Sequence, residues 1–409
     1  MDLTAVVFGD KSRLRSFLDH FADIDDPRDV RRVAHPLAEV LLLVVCATLA
    51  DCDGYDHIAE WGESRLSFLR GFLPYHFGVP GGRWLTLIMN RINPALFSAA
   101  FTSWVRETWP EQPEFIAIDG KTSRRSHDRA QGHGPLHLVS AFATTRGLVL
   151  GQEAVEGKTN ELSAIPVLIE RLAENDGLKG ALVSIDAIAT NAAIAAKITD
   201  AGADYLLAVK ANQPTLRAEV ESLFESTFVP RQDRVVDWDK GHGRIERRAV
   251  SVVREVDWLD GDRRFPGECR LPKATTIIRV QSRAELADRS RLETRYYISS
   301  AALNPQKAAD AVRGHWGIEN RLHWVLDVTF AEDQSRLRKG HGAKNMAIVR
   351  HFAINLIRTA PEPVRPPKPN WPRKTTKPRN PKPTSLKLRR KIAGWVPDYL
   401  HVALQISTR

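Results

Sequence analysis

From Phe115 to Val209 short apolar runs alternate with stretches of helical spacing, and this alternation constrains the chain more than any other feature. Phe115 to Ile118 is an apolar run that ends at Asp119-Gly120. His137 to Ala143 and Leu148 to Ala154 are strand-like runs joined at Thr144 to Gly147, a hairpin pattern. Asn160 to Ala173 has helical spacing, with Asn160 placed to cap it. Ala181 to Ile185 is a further apolar strand, ending at Asp186. Thr190 to Thr199 is an Ala-rich helix, and Tyr205 to Val209 a fifth strand. The order strand, strand, strand, helix, strand, helix, strand predicts a mixed α/β sheet.

The flanking regions differ in texture. Residues 1 to about 105 read as helical. Val30 to Ala50 has the apolar density of a buried helix, Asp53-Gly54 breaks it, and Tyr55 to Trp61 starts another. Trp84 to Ile92 and Pro94 to Trp104 form a helix pair, with Asn93-Pro94 as turn and helix start. Residues from about 212 to 300 read as a β-rich insert on the strength of Arg247 to Val253, Thr275 to Val280 and Thr294 to Ser299. Helical spacing returns over Pro305 to Val325 and Ala343 to Ile357. Thr359 to Thr384 holds nine prolines among Lys and Arg and reads as an extended linker. Leu386 to Leu404 has the pattern of one or two short terminal helices within a basic segment, 385 to 409.

The charge of the chain is unevenly placed. The net charge is +10, and residues 359 to 409 contain 12 Lys/Arg against Glu362 and Asp398 alone, so the remaining chain has as many acids as bases. A concentrated basic segment suits a polyanion, because neutralising phosphates releases counterions, and it suits a solvated tail equally well. Cys46, Cys52 and Cys269 are too few and scattered for a disulfide framework or a zinc site. The longest apolar run, Val40 to Ala50, is far short of the ~20 residues that span a bilayer. With no signal-peptide pattern at the start, a cytoplasmic, nucleoid-associated protein without membrane contact is expected.

Asp119 and Asp186 each follow an apolar strand. Side chains at strand ends of an α/β sheet point into the site crevice. Two carboxylates there can share hard cations such as Mg²⁺, which prefer carboxylate oxygens. Two such ions about 4 Å apart can activate a water or a 3′-hydroxyl and stabilise the leaving oxygen of a phosphoryl transfer. A third acid is needed. A single Asp after an apolar run is as readily a turn residue, and the pair alone does not separate a nuclease from a magnesium-dependent phosphatase.

Arg313 to Asn345, reading RGHWGIENRLHWVLDVTFAEDQSRLRKGHGAKN, together with IDGKTSRRS at Ile118 to Ser126, resembles the DDE transposases of bacterial insertion sequences, in the branch that includes the H-repeat-associated proteins. The resemblance continues through GQEAVEGKTNELSAIP, SIDAIATN, DYLLAVKANQ and GHGRIERR, spanning about residues 20 to 358 and returning at Leu386 to Leu400. It implies a ribonuclease-H-like catalytic domain over 110 to 358, interrupted by a β-rich insertion and preceded by a helical, DNA-end-binding N-terminal domain. It implies Asp119, Asp186 and Glu319 as the catalytic, metal-holding carboxylates. They would hold two Mg²⁺, with Mn²⁺ able to substitute. The implied chemistry is cleavage of double-stranded DNA at terminal inverted repeats, then attack of the 3′-hydroxyls on target DNA. Holding two ends together implies a dimer in the active complex. A transposase remnant that binds without cutting, or a nuclease without strand transfer, are the alternatives.

The same resemblance nominates DNA contacts. Lys121, Arg124 and Arg125 follow Asp119 and either meet phosphates or occupy a solvated loop. Lys210, Asn212 and Gln213 follow the fifth strand and are candidates to line the DNA channel. His242, Arg244 and Glu246 form a polar cluster that the resemblance makes functional and position alone makes a hairpin turn. Around the third acid, the wider group's Tyr, Arg and Lys places hold Val312, His315 and Leu326, leaving Arg313, His315 and Arg321 as the nearby phosphate contacts. Trp238 reads as a core residue, with stacking on an unpaired base as the alternative. Trp316 and Trp324 also read as core. Asp327, Glu332 and Asp333 rank below Glu319 as the third acid.

Overall fold

The computed structural model describes residues 13–22, 24–29, 31, 33–127, 132, 134–156, 161–225, 232–241, 244–254, 256–260, 268, 270–285, 290–364 and 383–405. The proposed cap Asn160, Cys269, His242 and most of the proline-rich stretch lie outside them. Among the described residues six helices come first: α1 (Arg13–Ala22), α2 (Leu37–Leu49), α3 (Tyr55–Ser64), α4 (Leu66–Arg70), α5 (Gly82–Met89) and α6 (Pro94–Thr108). There follow β1 (Phe115–Thr122), β2 (Leu136–Ala143), β3 (Leu148–Glu156), α7 (Glu161–Ala173), β4 (Leu182–Ile185), α8 (Ala192–Asp200), β5 (Asp204–Val209) and α9 (Pro214–Glu225). The chain continues with β6 (Asp233–Gly241), β7 (Arg244–Val253), β8 (Thr276–Glu285), β9 (Ser290–Ser299), α10 (Pro305–Ile318), a π-helical turn at Glu319–His323, α11 (Trp324–Val328), α12 (Gly342–Thr359), α13 (Leu386–Trp395) and α14 (Pro397–Gln405).

The described residues divide into two compact units. One comprises residues 111–123 and 133–324. In it nine strands form a single mixed sheet in the order β3-β2-β1-β4-β5-β9-β8-β7-β6. β1, β4 and β5 are parallel, and every other pairing is antiparallel. The near-continuous apolar sequences of β4 and β5 fit this centre, because parallel strands are covered on both faces. Alternate residues of β5 separate the two faces. Tyr205, Leu207 and Val209 pack with α7, α8 and α9, while Leu206 and Ala208 pack with Ala308, Ala311 and Val312 of α10.

The β-rich insert is therefore an extension of the sheet, joined edge to edge through β5 and β9. It opens with a helix, α9, and its first strand is β6; neither was legible in the sequence. β6 reads Asp233-Arg-Val-Val-Asp-Trp-Asp, and its half-exposed edge position leaves no clean apolar alternation.

The other unit holds the described residues up to Pro110, 124–132 and from Val325 on. α2 is apolar on all sides and buried along nearly its whole length. It starts at Leu37, later than the Val30 suggested by composition, because Pro36 at its N-cap disfavours helical backbone before it. α12 packs against α2 and α6, so the helical unit gathers elements from both ends of the sequence. Phe17, Phe21, Phe97, Phe101, Trp104 and Phe352 form one aromatic cluster there, from α1, α6 and α12. Asn93 caps α6 with its side chain on the Ala95 amide, and Pro94 takes the first helical position. No helix among the described residues is long and apolar enough to cross a membrane.

Candidate active site

β1 and β4 run parallel with Ile118 opposite Ile185, so the next residue of each strand, Asp119 and Asp186, emerges at the same level. β4 ends there, and Asp186 leads into a 3-10 turn over Ala187–Ala189. β1 does not end: it continues beside β2 to Thr122, with Asp119 opposite Ser140. Asp119 thus stands at the point where the two parallel neighbours part, rather than at a strand end as the apolar run suggested.

Glu319 follows the last residue of α10 and opens the π-helical turn, in which the Trp324 amide donates to the Glu319 carbonyl five residues back. Such single wide turns within helices are frequent at functional sites. The turn also carries His323, which is almost fully buried. Its Nδ1 lies 2.9 Å from Glu319 Oε2 and 3.7 Å from Asp119 Oδ2. One ligand atom from each of Asp119, Glu319 and His323 lies within 4.8 Å of the others. All three carboxylates line one cavity of about 310 Å³, together with Lys210, His315 and Tyr297.

The charges are tuned by their surroundings. Burial raises the Asp119 carboxyl above its ordinary range, against the pull of the His323 and His315 charges. Burial also pushes Asp186 up, but the Lys210 hydrogen bond, the Ala187 amide and nearby positive charge outweigh it and leave that carboxyl below its ordinary value. Glu319 is lowered chiefly by the hydrogen bond from His323, with Lys121 adding positive charge. His315 is lowered by burial despite both aspartates, and its Nδ1 meets the Ser184 hydroxyl at 2.9 Å. The result is a partly exposed set of oxygen donors with one imidazole among them, a donor chemistry that fits a hard or borderline divalent cation.

The family described as Transposase DDE domain matches residues 110–356, more than half of the chain, and the DDE_Tnp_1-associated family matches residues 18–105. The chain belongs to the DDE transposase family. This DDE transposase family member is similar to the H repeat-associated protein YhhI of Escherichia coli strain K12, 36% identical over 349 residues that cover 84% of this chain and 90% of that one. It is similar also to the H repeat-associated protein YbfD of the same strain, 34% identical over 249 residues that cover 60% of this chain and 97% of the other. A solved synaptic complex of piggyBac transposase with hairpin DNA aligns over 99% of this chain and 84% of its own, at 10% identity and a TM-score of 0.40, a likeness too slight to carry an argument.

Within this DDE transposase family chain, the other candidate residues divide by what they touch. Lys210 binds Asp186 through both carboxylate oxygens, at 2.7 and 2.9 Å. Asn212 and Gln213, read from sequence as channel lining, instead donate their amides to the carbonyls of Ala187 and Thr190 and so hold the turn after Asp186. Lys121 is buried beside the site, so it occupies no solvated loop. Arg124 pairs with Asp333 at 3.4 Å, and the Arg125 carbonyl accepts from Arg338. Arg313 pairs with Asp237 and Asp310, at 2.6 and 2.9 Å, and Arg321 donates to the Thr144 carbonyl. Arg244 begins β7 opposite Gly241.

Three tryptophans read as core are exposed: Trp238 at 65%, Trp316 at 45% and Trp324 at 57%. Arg247 lies over Trp238 and Arg295 over Trp316, so their faces meet cations instead of the core. Two of the further acids have partners of their own. Glu332 is buried against Arg350, and Asp333 holds Arg124. His323 was missed altogether, although a His four residues after a Glu on one helix is the spacing at which side chains meet.

Proposed function

We propose that this chain is an insertion-sequence transposase that cleaves double-stranded DNA at the ends of its element and joins the ends to target DNA. In this reading the unit from 111 to 324 is ribonuclease-H-like, supported by the strand order β3-β2-β1-β4-β5 with β2 and β3 antiparallel. Asp119, Asp186 and Glu319 hold two divalent cations, Mg²⁺ or Mn²⁺. When bound, such ions activate a water or 3′-hydroxyl and stabilise the leaving oxygen. The observation that carries the reading is the convergence of all three carboxylates on one cavity in a chain of this family.

The chain's own groups then have distinct tasks. Asp119, half-buried on β1, and Glu319, held by His323, present oxygens from two elements brought together by the packing of α10 on β1. Lys210, beside Asp186, supplies a mobile positive charge for a phosphate. The helical unit recognises the DNA ends, and the active complex is a dimer that holds two of them.

Cleavage of DNA carrying the gene's own flanking sequences, with Mg²⁺ or Mn²⁺, tests this reading. The native chain is expected to leave 3′-hydroxyl ends and Asp186→Asn none. Binding without cutting under either metal would assign the chain to DNA-binding proteins that do not cleave.

A further inference from the structure

The two cation positions implied by the proposed function are unequal in this structure. Asp119, Glu319 and His323 bring a ligand atom each to within 4.8 Å of one another, and Asp186 lies outside that group. Asp186 is already engaged: one ammonium, from Lys210, contacts both of its oxygens at 2.7 and 2.9 Å. Resting on the two-cation reading, we propose that the DNA-free protein takes a single divalent cation on Asp119, Glu319 and His323, and that Lys210 holds the position at Asp186 closed until DNA draws it away.

His323 is equipped for the first part. Its side chain is 5% exposed, on the same wide turn as Glu319. Nδ1 faces both carboxylates, while Nε2 is buried with no hydrogen-bond partner among the described residues. Without a cation the Glu319 carboxylate holds the proton on Nδ1, and no group at Nε2 blocks its transfer there when a cation arrives. With Nδ1 protonated the ring donates to Glu319; with the proton on Nε2 the same nitrogen offers a lone pair to a cation. Two carboxylates and one imidazole favour Mn²⁺ over Mg²⁺ more than three carboxylates would, because imidazole is a poorer ligand for the harder ion.

Lys210 accounts for the second part. It follows β5, is 58% exposed at its side chain, and carries a compact charge on a flexible stem. An ammonium on both oxygens of Asp186 gives that carboxylate the compensation a cation would otherwise provide. A DNA phosphate entering the cavity competes for the same ammonium and exposes Asp186 as it does so. The second position thereby opens only when substrate is present.

Manganese binding to the full chain without DNA tests the proposal, read by electron paramagnetic resonance of free and bound Mn²⁺. The native protein is expected to bind one ion, His323→Gln to bind it at least about tenfold more weakly, and Lys210→Met to bind two. Pulsed measurements on the native protein are expected to show nitrogen coupled to the bound Mn²⁺, which requires no variant to fold. Two equivalent ions in the native chain, absence of nitrogen coupling, or a single ion in a folded Lys210→Met protein would overturn the proposal. Failure of the underlying carboxylate reading is distinguishable, since Mn²⁺ binding would then be absent from the native chain or unchanged in Asp119→Asn.

Discussion

A Cβ built on Gly314 would stand 2.9 Å from Cε1 of Phe115. Phe115 begins β1, four residues before Asp119, and Gly314 lies on α10, five before Glu319. The missing side chain lets the helix approach the strand, and that approach sets the height of Glu319 above the sheet. Gly314→Ala is expected to lower stability by about 1–3 kcal/mol through overpacking. Chemical denaturation measures the loss, and adding Phe115→Leu should recover part of it. A Gly314→Ala protein of native stability would show that the helix does not rest on this contact.

Arg390 is fully buried in the helical unit. It donates to the Thr48 carbonyl at 2.7 Å, pairs with Asp51 and Asp53 at 3.1 and 2.9 Å, and lies over the Phe330 ring. Arg390→Met leaves two acids without their partner and is expected to cost about 3–5 kcal/mol. Lys387→Met, exposed on the same helix, should stay within about 0.5 kcal/mol of native. Equal effects in thermal unfolding would contradict a structural role for Arg390.

The tryptophans divide in the same way. Trp104 is wholly buried in the aromatic cluster, and Trp104→Ala is expected to cost about 3–5 kcal/mol. Trp238→Ala should leave stability within about 0.5 kcal/mol of native. A large loss of stability on removing Trp238 would mean that its exposed face is covered in the folded protein.

Asn212 donates to the Ala187 carbonyl at 2.9 Å, one residue beyond Asp186. If it positions that turn, Asn212→Ala should cost about 1 kcal/mol and reduce cleavage while DNA affinity is retained. A drop in affinity matched to the drop in cleavage, with stability intact, would instead restore it to the DNA channel.

The sequence was most readable where a single physical signal dominates. The parallel strands announced themselves as unbroken apolar runs, and α6 by Asn93-Pro94. The three carboxylates could be nominated because two follow recognisable apolar runs, the third lies in a stretch of helical spacing, and the surrounding motifs resembled a known family. The partners of those carboxylates were not readable in this way. Lys210 meets Asp186 across two strands, His315 meets Ser184 across 131 positions, and Asn212 turns back on the Asp186 turn, all through tertiary contacts that local pattern cannot encode. The four-residue spacing of Glu319 and His323 was visible, but no residue type marks the wide turn that carries them. Trp316 and Trp324 were misplaced because aromatic spacing on a helix does not say whether a neighbour covers it. The basic C-terminal stretch illustrates the same limit: Arg389 and Arg390 add to its charge but are buried in hydrogen bonds within the fold.

In the proposed reaction Asp119, Asp186 and Glu319 act together on DNA. The most direct test supplies pre-cut element ends carrying 3′-hydroxyls, a target plasmid and Mg²⁺, and compares the native chain with Asp119→Asn, Asp186→Asn and Glu319→Gln. Joined products are expected from the native chain, and from each variant DNA binding without joining. Joining by any one of the three variants at the native rate would contradict that joint action.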